Sequence, residues 1–358
     1  MKEKIVIGMS GGVDSSVAAY LLKEQGYEVI GVTMVHWKES GVPDEACPSI
    51  QAAAEAKEVA RQLDIPHYTL DFCREFKTHV MDYFAAEYLR GRTPNPCTVC
   101  NRYVKWEALL KRAADFGADL VATGHYARIR LLENGRYALC RAAADQKDQT
   151  YALYNLTQEQ LAHTRMPLGG YEKPQIRKIA EQIGLHVADK PDSQEICFIP
   201  DHDYGAFIEA YQGGDKIRPG NFVDRDGKIL GQHKGIIHYT IGQRKGLGIA
   251  LGSRAFVTRI CPDTNEVVLG ENEDLFGRTL YASDFNWMGA LPPKDRMRAT
   301  GKIRYAHKGA DCTVSVTKEG LVKCEFDQPQ RAMTPGQSVV LYDGDVVLGG
   351  GVIQTAEK

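Results

Sequence analysis

Apolar and polar residues follow two alternating periods along the first half of the chain. A short apolar run at residues 5–7 leads into a Gly/Ser-rich turn, after which apolar positions recur at helical spacing from Val13 to Leu22 and stop before Gly26. Further apolar runs of strand length occur at residues 27–35, 67–70 and 119–122. Helical patterns lie between and around them at residues 50–63, 76–89 and 103–116. This alternation predicts an α/β fold with a doubly wound parallel sheet.

The pattern changes after this sheet. Residues 128–141 contain two short strand patterns around Asn134-Gly135, which predicts a β-hairpin. Helical patterns follow, one with a capping-box sequence at Thr157 and Gln160 and one that ends at Gly184. Beyond about residue 211 the chain has short β-type runs punctuated by glycine, for example at residues 235–240, 255–260 and 266–269.

From residue 280 onwards the short β-type runs predict a small antiparallel β-barrel. We therefore expect three domains: a doubly wound α/β domain at residues 1–205, a small central domain at 206–275 and a C-terminal antiparallel β-barrel at 276–358.

The turn after the first strand has the chemistry of a phosphate site. A glycine loop at a helix N-terminus directs backbone N–H groups and roughly half a positive charge at one point. Gly11 and Gly12 permit close approach, Ser10, Ser15 and Ser16 add hydroxyls, and the acid Asp14 suggests a Mg²⁺ ion between protein and phosphates. Met34 and Gly124 should lie on the same sheet edge, because ligands bind at the carboxyl ends of parallel strands.

Composition and charge narrow the class of protein. No apolar run approaches the roughly 18–20 residues of a membrane span. No signal peptide is visible, and nine cysteines scattered over 358 residues do not resemble a secreted disulfide framework, so we expect a cytoplasmic protein. The net charge is −2, yet residues 216–259 carry nine Lys/Arg against two acids. That stretch is either a phosphate-contacting patch or a solvated basic face.

The cysteines suggest thiol chemistry. Cys97 and Cys100 form a Cys-x-x-Cys pair just before a helix, where the helix dipole should lower a thiol pKa, and Cys197 lies in a second loop. A structural zinc needs four ligands, and a redox dithiol leaves Cys197 without a role. We expect five of the other cysteines to be buried as small apolar residues, namely Cys73, Cys140, Cys261, Cys312 and Cys324.

The loop lacks the Walker A and Gly-x-Gly-x-x-Gly patterns and resembles the PP-loop, Ser-Gly-Gly-x-Asp-Ser, of the N-type ATP pyrophosphatases. Nearly the whole chain resembles the tRNA-specific 2-thiouridylase family. The motifs that carry the resemblance are Gly8-Met9-Ser10-Gly11-Gly12-Val13-Asp14-Ser15, Gly31-Val32-Thr33-Met34, Gly91-Arg92-Thr93-Pro94-Asn95-Pro96, Cys100-Asn101, Ala122-Thr123-Gly124-His125-Tyr126-Ala127-Arg128, Lys147-Asp148-Gln149-Thr150-Tyr151 and Ile196-Cys197-Phe198-Ile199.

The resemblance implies a fold of the adenine nucleotide α-hydrolase type and a two-stage reaction on the wobble uridine (position 34) of the tRNA anticodon stem-loop. ATP would adenylate the C2 oxygen with release of pyrophosphate, and persulfide sulfur from a cysteine desulfurase or a sulfur-relay protein would then displace AMP. A Cys100–Cys197 disulfide would remain, so a reductant would be needed in each turnover.

The resemblance also assigns roles to residues. Cys100 matches the nucleophile and Cys197 the persulfide carrier. The implied ATP-binding residues are Gly8, Met9, Ser10, Gly11, Gly12, Val13, Asp14, Ser15, Met34 and Gly124. The implied target-base contacts are Asn95, Pro96 and Cys97, and the implied tRNA contacts are Lys147, Asp148, Gln149, Arg304 and Tyr305.

Cys97 departs from the family, which often carries Asp at this position. Three thiols, Cys97, Cys100 and Cys197, could instead hold a [4Fe–4S] cluster whose free iron binds hydrosulfide. Two rival functions also stay open: a PP-loop amide-forming ligase that adenylates a carboxylate or purine, and a non-enzymatic tRNA-binding or iron–sulfur scaffold.

Overall fold

A computed structural model describes residues 2–38, 43, 47–188, 190, 196–199, 201, 203–214, 217–249 and 254–357. Residues 192–195 of the second cysteine loop and Lys216 of the basic stretch lie outside these ranges. None of the helices in the described ranges is both long enough and apolar enough to cross a membrane.

A parallel five-stranded sheet forms the centre of the first domain, in the order β3-β2-β1-β4-β7. The strands of this part of the chain are β1 (Lys4–Gly8), β2 (Glu28–Val35), β3 (His67–Asp71), β4 (Leu120–Ala122), β5 (Arg128–Leu131), β6 (Tyr137–Cys140) and β7 (Thr164–Arg165). Strand β1 is apolar throughout its centre because both of its faces are covered. Val6 belongs to one apolar core, while Ile5 and Ile7 belong to the other. The predicted doubly wound sheet is confirmed.

Helices cover both faces of this sheet. The α-helices are α1 (Val13–Glu24), α2 (Pro48–Gln62), α3 (Cys73–Phe76), α4 (Asp82–Leu89), α5 (Pro96–Val99), α6 (Leu109–Ala113), α7 (Thr150–Leu153), α8 (Gln158–Ala162), α9 (Lys173–Gln182) and α10 (Tyr204–Gln212). The predicted capping box at Thr157 and Gln160 is present at the start of α8.

Two of the predicted helices contain π-helical segments, Lys77–Met81 and Cys100–Ala108. A π-helix bonds residue i to residue i+5 instead of i+4. The spacing of apolar residues predicted helices at both places but did not distinguish the two kinds of turn.

The central domain is a four-stranded sheet in the order β10-β11-β8-β9. Its strands are β8 (Gly220–Val223), β9 (Ile229–His233), β10 (Phe256–Cys261) and β11 (Glu266–Gly270). The strand expected at residues 235–240 is wrong, because Ile236–His238 forms a 3₁₀ turn. The His238 imidazole there bonds Glu209 on α10, and Gly235 adopts a φ of +131° that a regular strand does not allow.

The C-terminal domain is a closed antiparallel barrel of six strands, as predicted, since its first and last strands pair with each other. The strands are β12 (Phe276–Trp287), β13 (Met297–Lys302), β14 (Ala310–Val316), β15 (Val322–Arg331), β16 (Ser338–Asp343) and β17 (Val346–Glu357). The predicted hairpin β5–β6 joins this barrel through the pairing of Cys140 with Val346. Cys140, Cys312 and Cys324 are buried as expected, whereas Cys73 and Cys261 are only half-buried.

The barrel also supports the segment that precedes the Cys-x-x-Cys pair. The Thr93 N–H donates to the Pro335 carbonyl at 2.9 Å, and the Gln337 amide donates to the Thr93 carbonyl at 2.9 Å. Gly336 lies so close that a Cβ on it would be 2.9 Å from the Thr93 backbone nitrogen. The position of the cysteine loop is therefore set by a part of the chain that is distant in sequence.

We predict that Gly336→Ala destabilises the protein more than Gly320→Ala does. Both glycines have positive φ, +91° and +82°, which costs alanine about 1–2 kcal/mol. A Cβ on Gly320 would have no neighbour within 4 Å, whereas one on Gly336 would meet Thr93, so overpacking adds about 1–3 kcal/mol there. Urea unfolding of both variants measures the difference. Equal losses would show that the Thr93 contact is not tightly packed.

Candidate active site

The phosphate loop lies at the carboxyl end of β1, as the sequence predicts. The Met9 N–H donates to the Val32 carbonyl at 2.8 Å, and the Ser10 N–H donates to the Ser15 hydroxyl at 3.2 Å. No side chain caps α1, whose N-cap is Gly12, so the first-turn N–H groups face outward without a side-chain acceptor. Gly11 has a φ of +69°, and the Ala52 carbonyl leaves no room there for a side chain.

Two of the three expected hydroxyl donors already donate within the loop. Ser16 is fully buried, and its hydroxyl donates to the Gly12 carbonyl at 2.8 Å. The Ser15 hydroxyl also donates to that carbonyl, at 3.2 Å, while Ser10 is exposed. Ser16 therefore stabilises the loop and is not placed to bind a ligand.

The carboxylate of Asp14 is held by two other residues. The Lys173 ammonium lies 2.7 Å and 2.8 Å from its two oxygens, and the Tyr126 hydroxyl donates to Oδ1 at 2.7 Å. A second ion pair joins Lys190 to Glu55 on α2, and the Lys190 ammonium also donates a hydrogen bond to the Gly11 carbonyl at 3.4 Å. Sequence reasoning missed both lysines, because they are far from the loop in the chain and belong to no local motif.

Met34 and Gly124 lie beside the loop, as expected from their strand ends. The Met34 side chain packs over Gly8, where its Cε would be 3.5 Å from a Cβ. A Cβ on Gly124 would be 2.6 Å from the Ser15 nitrogen, so the β4 loop packs directly on the first turn of α1. The Met34 thioether gives this edge an apolar group of the kind on which a purine ring can pack.

The three loop thiols are near enough to influence one another through their charges. Cys97 and Cys197 are exposed and Cys100 is buried, and none of the three forms a disulfide. Cys97 and Cys197 both raise the pKa of Cys100 through their negative thiolate forms, which places all three in one electrostatic site. The Asn95 side chain accepts a hydrogen bond from the Cys97 N–H at 3.1 Å and so begins α5.

The expected lowering of the thiol pKa values is wrong. Desolvation raises the pKa of Cys97, raises that of Cys100 to about 12 and raises that of Cys197 to about 11. The helix α5 has only four residues and continues into the π-helical segment, so Cys100 lies inside a longer helical run and is buried. The loss of hydration outweighs the effect of the helix terminus.

Lys105 is the cation of this thiol site. Its positive charge lowers the pKa of Cys97, Cys100 and Cys197, and also that of the buried imidazole of His125. Lys105 is five residues after Cys100 within the π-helical segment, a spacing that brings the two residues onto one face only when the turn is π-helical. The apolar spacing of this helix did not indicate the pairing.

A buried acceptor follows Cys100. The Asn101 amide nitrogen donates to the Ala152 carbonyl at 2.8 Å, which leaves its Oδ1 buried without a hydrogen-bond partner. Buried polar atoms are normally paired, so this acceptor beside Cys100 is unusual.

The predicted tRNA contacts differ in exposure. Asp148 is buried, where it accepts from the Thr150 hydroxyl at 2.7 Å, and the Gln149 side chain accepts from the Tyr126 N–H at 2.9 Å. Tyr305 on the barrel is 48% exposed. Desolvation raises the pKa of Tyr305, the nearby Asp148 and Cys97 raise it further and Lys147 lowers it, so Tyr305 lies near both Asp148 and Cys97.

The structure also gives the positions of Arg304 and of part of the basic stretch at residues 216–259. Arg304 donates to the Arg331 carbonyl at 3.0 Å, and in the basic stretch Arg244 and Lys245 are exposed on the central domain. Within the described ranges, no three His, Cys, Asp or Glu side chains are grouped closely enough to hold a metal ion.

Three protein families match consecutive parts of the chain. They are the tRNA methyl transferase HUP domain at residues 3–201, the tRNA methyl transferase PRC-barrel domain at 206–271 and the Aminomethyltransferase beta-barrel domain at 277–353.

Curated proteins named tRNA-specific 2-thiouridylase MnmA match along nearly the whole length. The protein from Lachnoclostridium phytofermentans is 59% identical over 355 residues, covering 98% of this chain and 99% of the relative. Those from Clostridium perfringens and Clostridioides difficile are 55% and 52% identical, each covering 99% of both chains. Among solved structures, NMN synthetase from Francisella tularensis aligns with a TM-score of 0.35 at 18% identity, over 59% of this chain and 78% of that one.

We predict that Lys105→Met slows the alkylation of all three loop thiols severalfold at pH 8. Loss of the positive charge removes an attraction that favours thiolate, so each pKa rises and less thiolate is present at a given pH. Mass spectrometry of iodoacetamide-treated protein between pH 7 and pH 10 measures the rate at each cysteine. Lys111→Met, which removes an exposed lysine of α6, is the matched control and should leave the rates unchanged. Unchanged rates in Lys105→Met would contradict the assignment.

Proposed function

The chain belongs to the tRNA-specific 2-thiouridylase family, whose ATP-using domain implies ATP and Mg²⁺, and we propose that it converts the wobble uridine (position 34) of tRNA to 2-thiouridine. The enzyme is a tRNA sulfurtransferase. The observation that carries the proposed chemistry is the shared electrostatic site of Cys100 and Cys197, two thiols that are far apart in the sequence.

In the first stage, the C2 oxygen of uracil attacks the α-phosphorus of ATP and pyrophosphate leaves. The first-turn N–H groups of α1 and the residues Gly8 to Ser15 bind the phosphates, with Met34 and Gly124 beside the adenosine. Asp14 together with the phosphates would hold Mg²⁺, which would neutralise charge on the leaving pyrophosphate. Adenylation turns a poor leaving group, the carbonyl oxygen, into a good one.

In the second stage, sulfur replaces the activated oxygen. The terminal sulfur of a persulfide on Cys197 attacks C2, and AMP leaves with the former C2 oxygen. The Cys100 sulfur then attacks the Cys197 sulfur and cleaves the S–S bond, while its proton passes to the departing thiobase. This step leaves sulfur on the base and a Cys100–Cys197 disulfide. A dithiol reductant restores both thiols. The exposure of Cys197 supports loading by a desulfurase or sulfur-relay protein, because the donor must reach this thiol.

The base must leave the anticodon stack to reach these thiols. Asn95, Pro96 and Cys97 would contact the extruded uracil, and the Asn101 Oδ1 without a partner is an acceptor suited to its N3–H. The remaining contacts would come from Lys147, Asp148, Gln149, Arg304 and Tyr305, of which Tyr305 presents an exposed ring for stacking. Together with residues 206–275, these would form the tRNA face of a cytoplasmic enzyme, with residues 1–205 as the catalytic domain and 276–358 as the barrel.

A [4Fe–4S] cluster is the second candidate for the sulfur source, because Cys97 adds a third thiol to the site. Cys97, Cys100 and Cys197 would be its ligands, and the open iron would supply bound hydrosulfide.

We predict that Cys100→Ser and Cys197→Ser each lower 2-thiouridine formation by more than about a hundredfold, because each removes a reacting sulfur. ATP–pyrophosphate exchange that depends on tRNA should stay within a few-fold of the wild-type rate. Nucleoside mass spectrometry and radioactive exchange measure the two stages. Exchange without tRNA, or full activity of Cys100→Ser, would favour an amide-forming ligase, and a complete lack of exchange would favour a scaffold.

We use Cys97→Asp to distinguish a persulfide from a cluster-bound hydrosulfide as the source of sulfur. It keeps both reacting sulfurs of the persulfide route, so we expect at least half of the wild-type activity and an iron-free protein. Anaerobic purification followed by iron and sulfide analysis checks this. Iron in the wild-type protein that is lost together with activity in Cys97→Asp would establish the cluster route.

A further inference from the structure

Lys173 is a largely buried cation at the phosphate loop. Its side chain is only 12% exposed, and its ammonium contacts both oxygens of Asp14, the second residue of α1, at 2.7 Å and 2.8 Å. The same ammonium lies 6.0 Å from the centre of the Tyr126 ring, whose hydroxyl also binds Asp14. Burying a lysine is costly unless an anion compensates its charge, and Asp14 meets that need in the protein without nucleotide.

Lys190 approaches the same loop at Gly11. Its ammonium donates to the Gly11 carbonyl at 3.4 Å and pairs with the Glu55 carboxylate. Glu55 in turn lies against Gly11, where its Oε2 would be 2.8 Å from a Cβ. Two lysines, each with a carboxylate partner, therefore lie beside the phosphate loop.

The balance of charge explains why these lysines are needed. Fully ionised ATP carries about four negative charges, and the α1 terminus offers only about half a positive charge. Asp14 and Glu55 alone would make the loop repel a triphosphate. The two lysines cancel these carboxylates, so the loop meets an incoming phosphate chain without net repulsion. Each ammonium has three donors, enough to bind a carboxylate and a phosphate oxygen at once.

We propose that Lys173 and Lys190 bind the β- and γ-phosphates of ATP and hold the pyrophosphate product, while Asp14 and Glu55 keep both ammonium groups over the loop before ATP arrives. The inference rests on the proposed function, since it concerns the site at which ATP is cleaved.

The test compares three ligands on the full-length protein. Isothermal titration calorimetry with Mg²⁺ measures the Kd of ATP, pyrophosphate and AMP for the wild type and for Lys173→Met and Lys190→Met. We expect each variant to bind ATP and pyrophosphate about 10- to 100-fold more weakly, because a charged hydrogen bond is lost. AMP, which lacks the β- and γ-phosphates, should bind within about twofold of wild type. Lys178→Met, an exposed lysine on the same helix, is the matched control.

Two outcomes would overturn the inference: unchanged ATP affinity, or an equal loss for ATP and AMP, which indicates a merely structural role. Lys173→Gln, which removes the charge but keeps a polar group beside Asp14, serves where Lys173→Met alone unfolds. It should show the same selective loss of pyrophosphate binding. A wild-type protein that binds none of the three ligands would overturn the proposed function itself, an outcome distinct from the two above.

Discussion

The close packing of Gly124 against the first turn of α1 is the constraint on which the site depends. A side chain at this position would come within 2.6 Å of the Ser15 nitrogen and would push the end of β4 away from the phosphate loop. Because the two segments touch, Tyr126 reaches Asp14 from the neighbouring loop. The backbone of Tyr126 also exchanges hydrogen bonds with Gln149. One glycine thus aligns the nucleotide loop with the segment that carries the predicted tRNA contacts.

The alignment continues into the barrel. Asp148 accepts from the Thr150 hydroxyl, which lies 3.2 Å from the Tyr342 hydroxyl of β16, and the Arg141 guanidinium lies 4.2 Å from the Tyr342 ring centre. Lys302 of β13 is buried near Asp148, whose charge raises its pKa while desolvation lowers it more. The barrel is therefore joined to the first domain through polar and charged side chains that pair with one another.

Sequence reasoning succeeded where the signal was local. Strand β1, the glycine loop and α1 are adjacent in the chain. Each barrel strand shows its β-type pattern in its own sequence, so it can be predicted without knowing which strand pairs with it. It failed where burial or distant residues decide the outcome. The pKa of Cys100 depends on the protein packed around it, and the partners of Asp14 and Glu55 lie more than a hundred residues away. The π-helical segments could not be predicted, because the spacing of apolar residues does not reveal whether residue i bonds to residue i+4 or to residue i+5.

The contact between Thr93 and Gly336 has a consequence for synthesis on the ribosome. The nucleotide loop is built from the first part of the chain and can form as soon as its sheet is complete, since domains fold as units from the N-terminal side. The cysteine loop is held by Pro335 and Gln337, which are translated some 240 residues later than Thr93. A partly synthesised chain would therefore have its nucleotide site well before the cysteine loop reaches its final position. RNA would remain unmodified until the barrel closes.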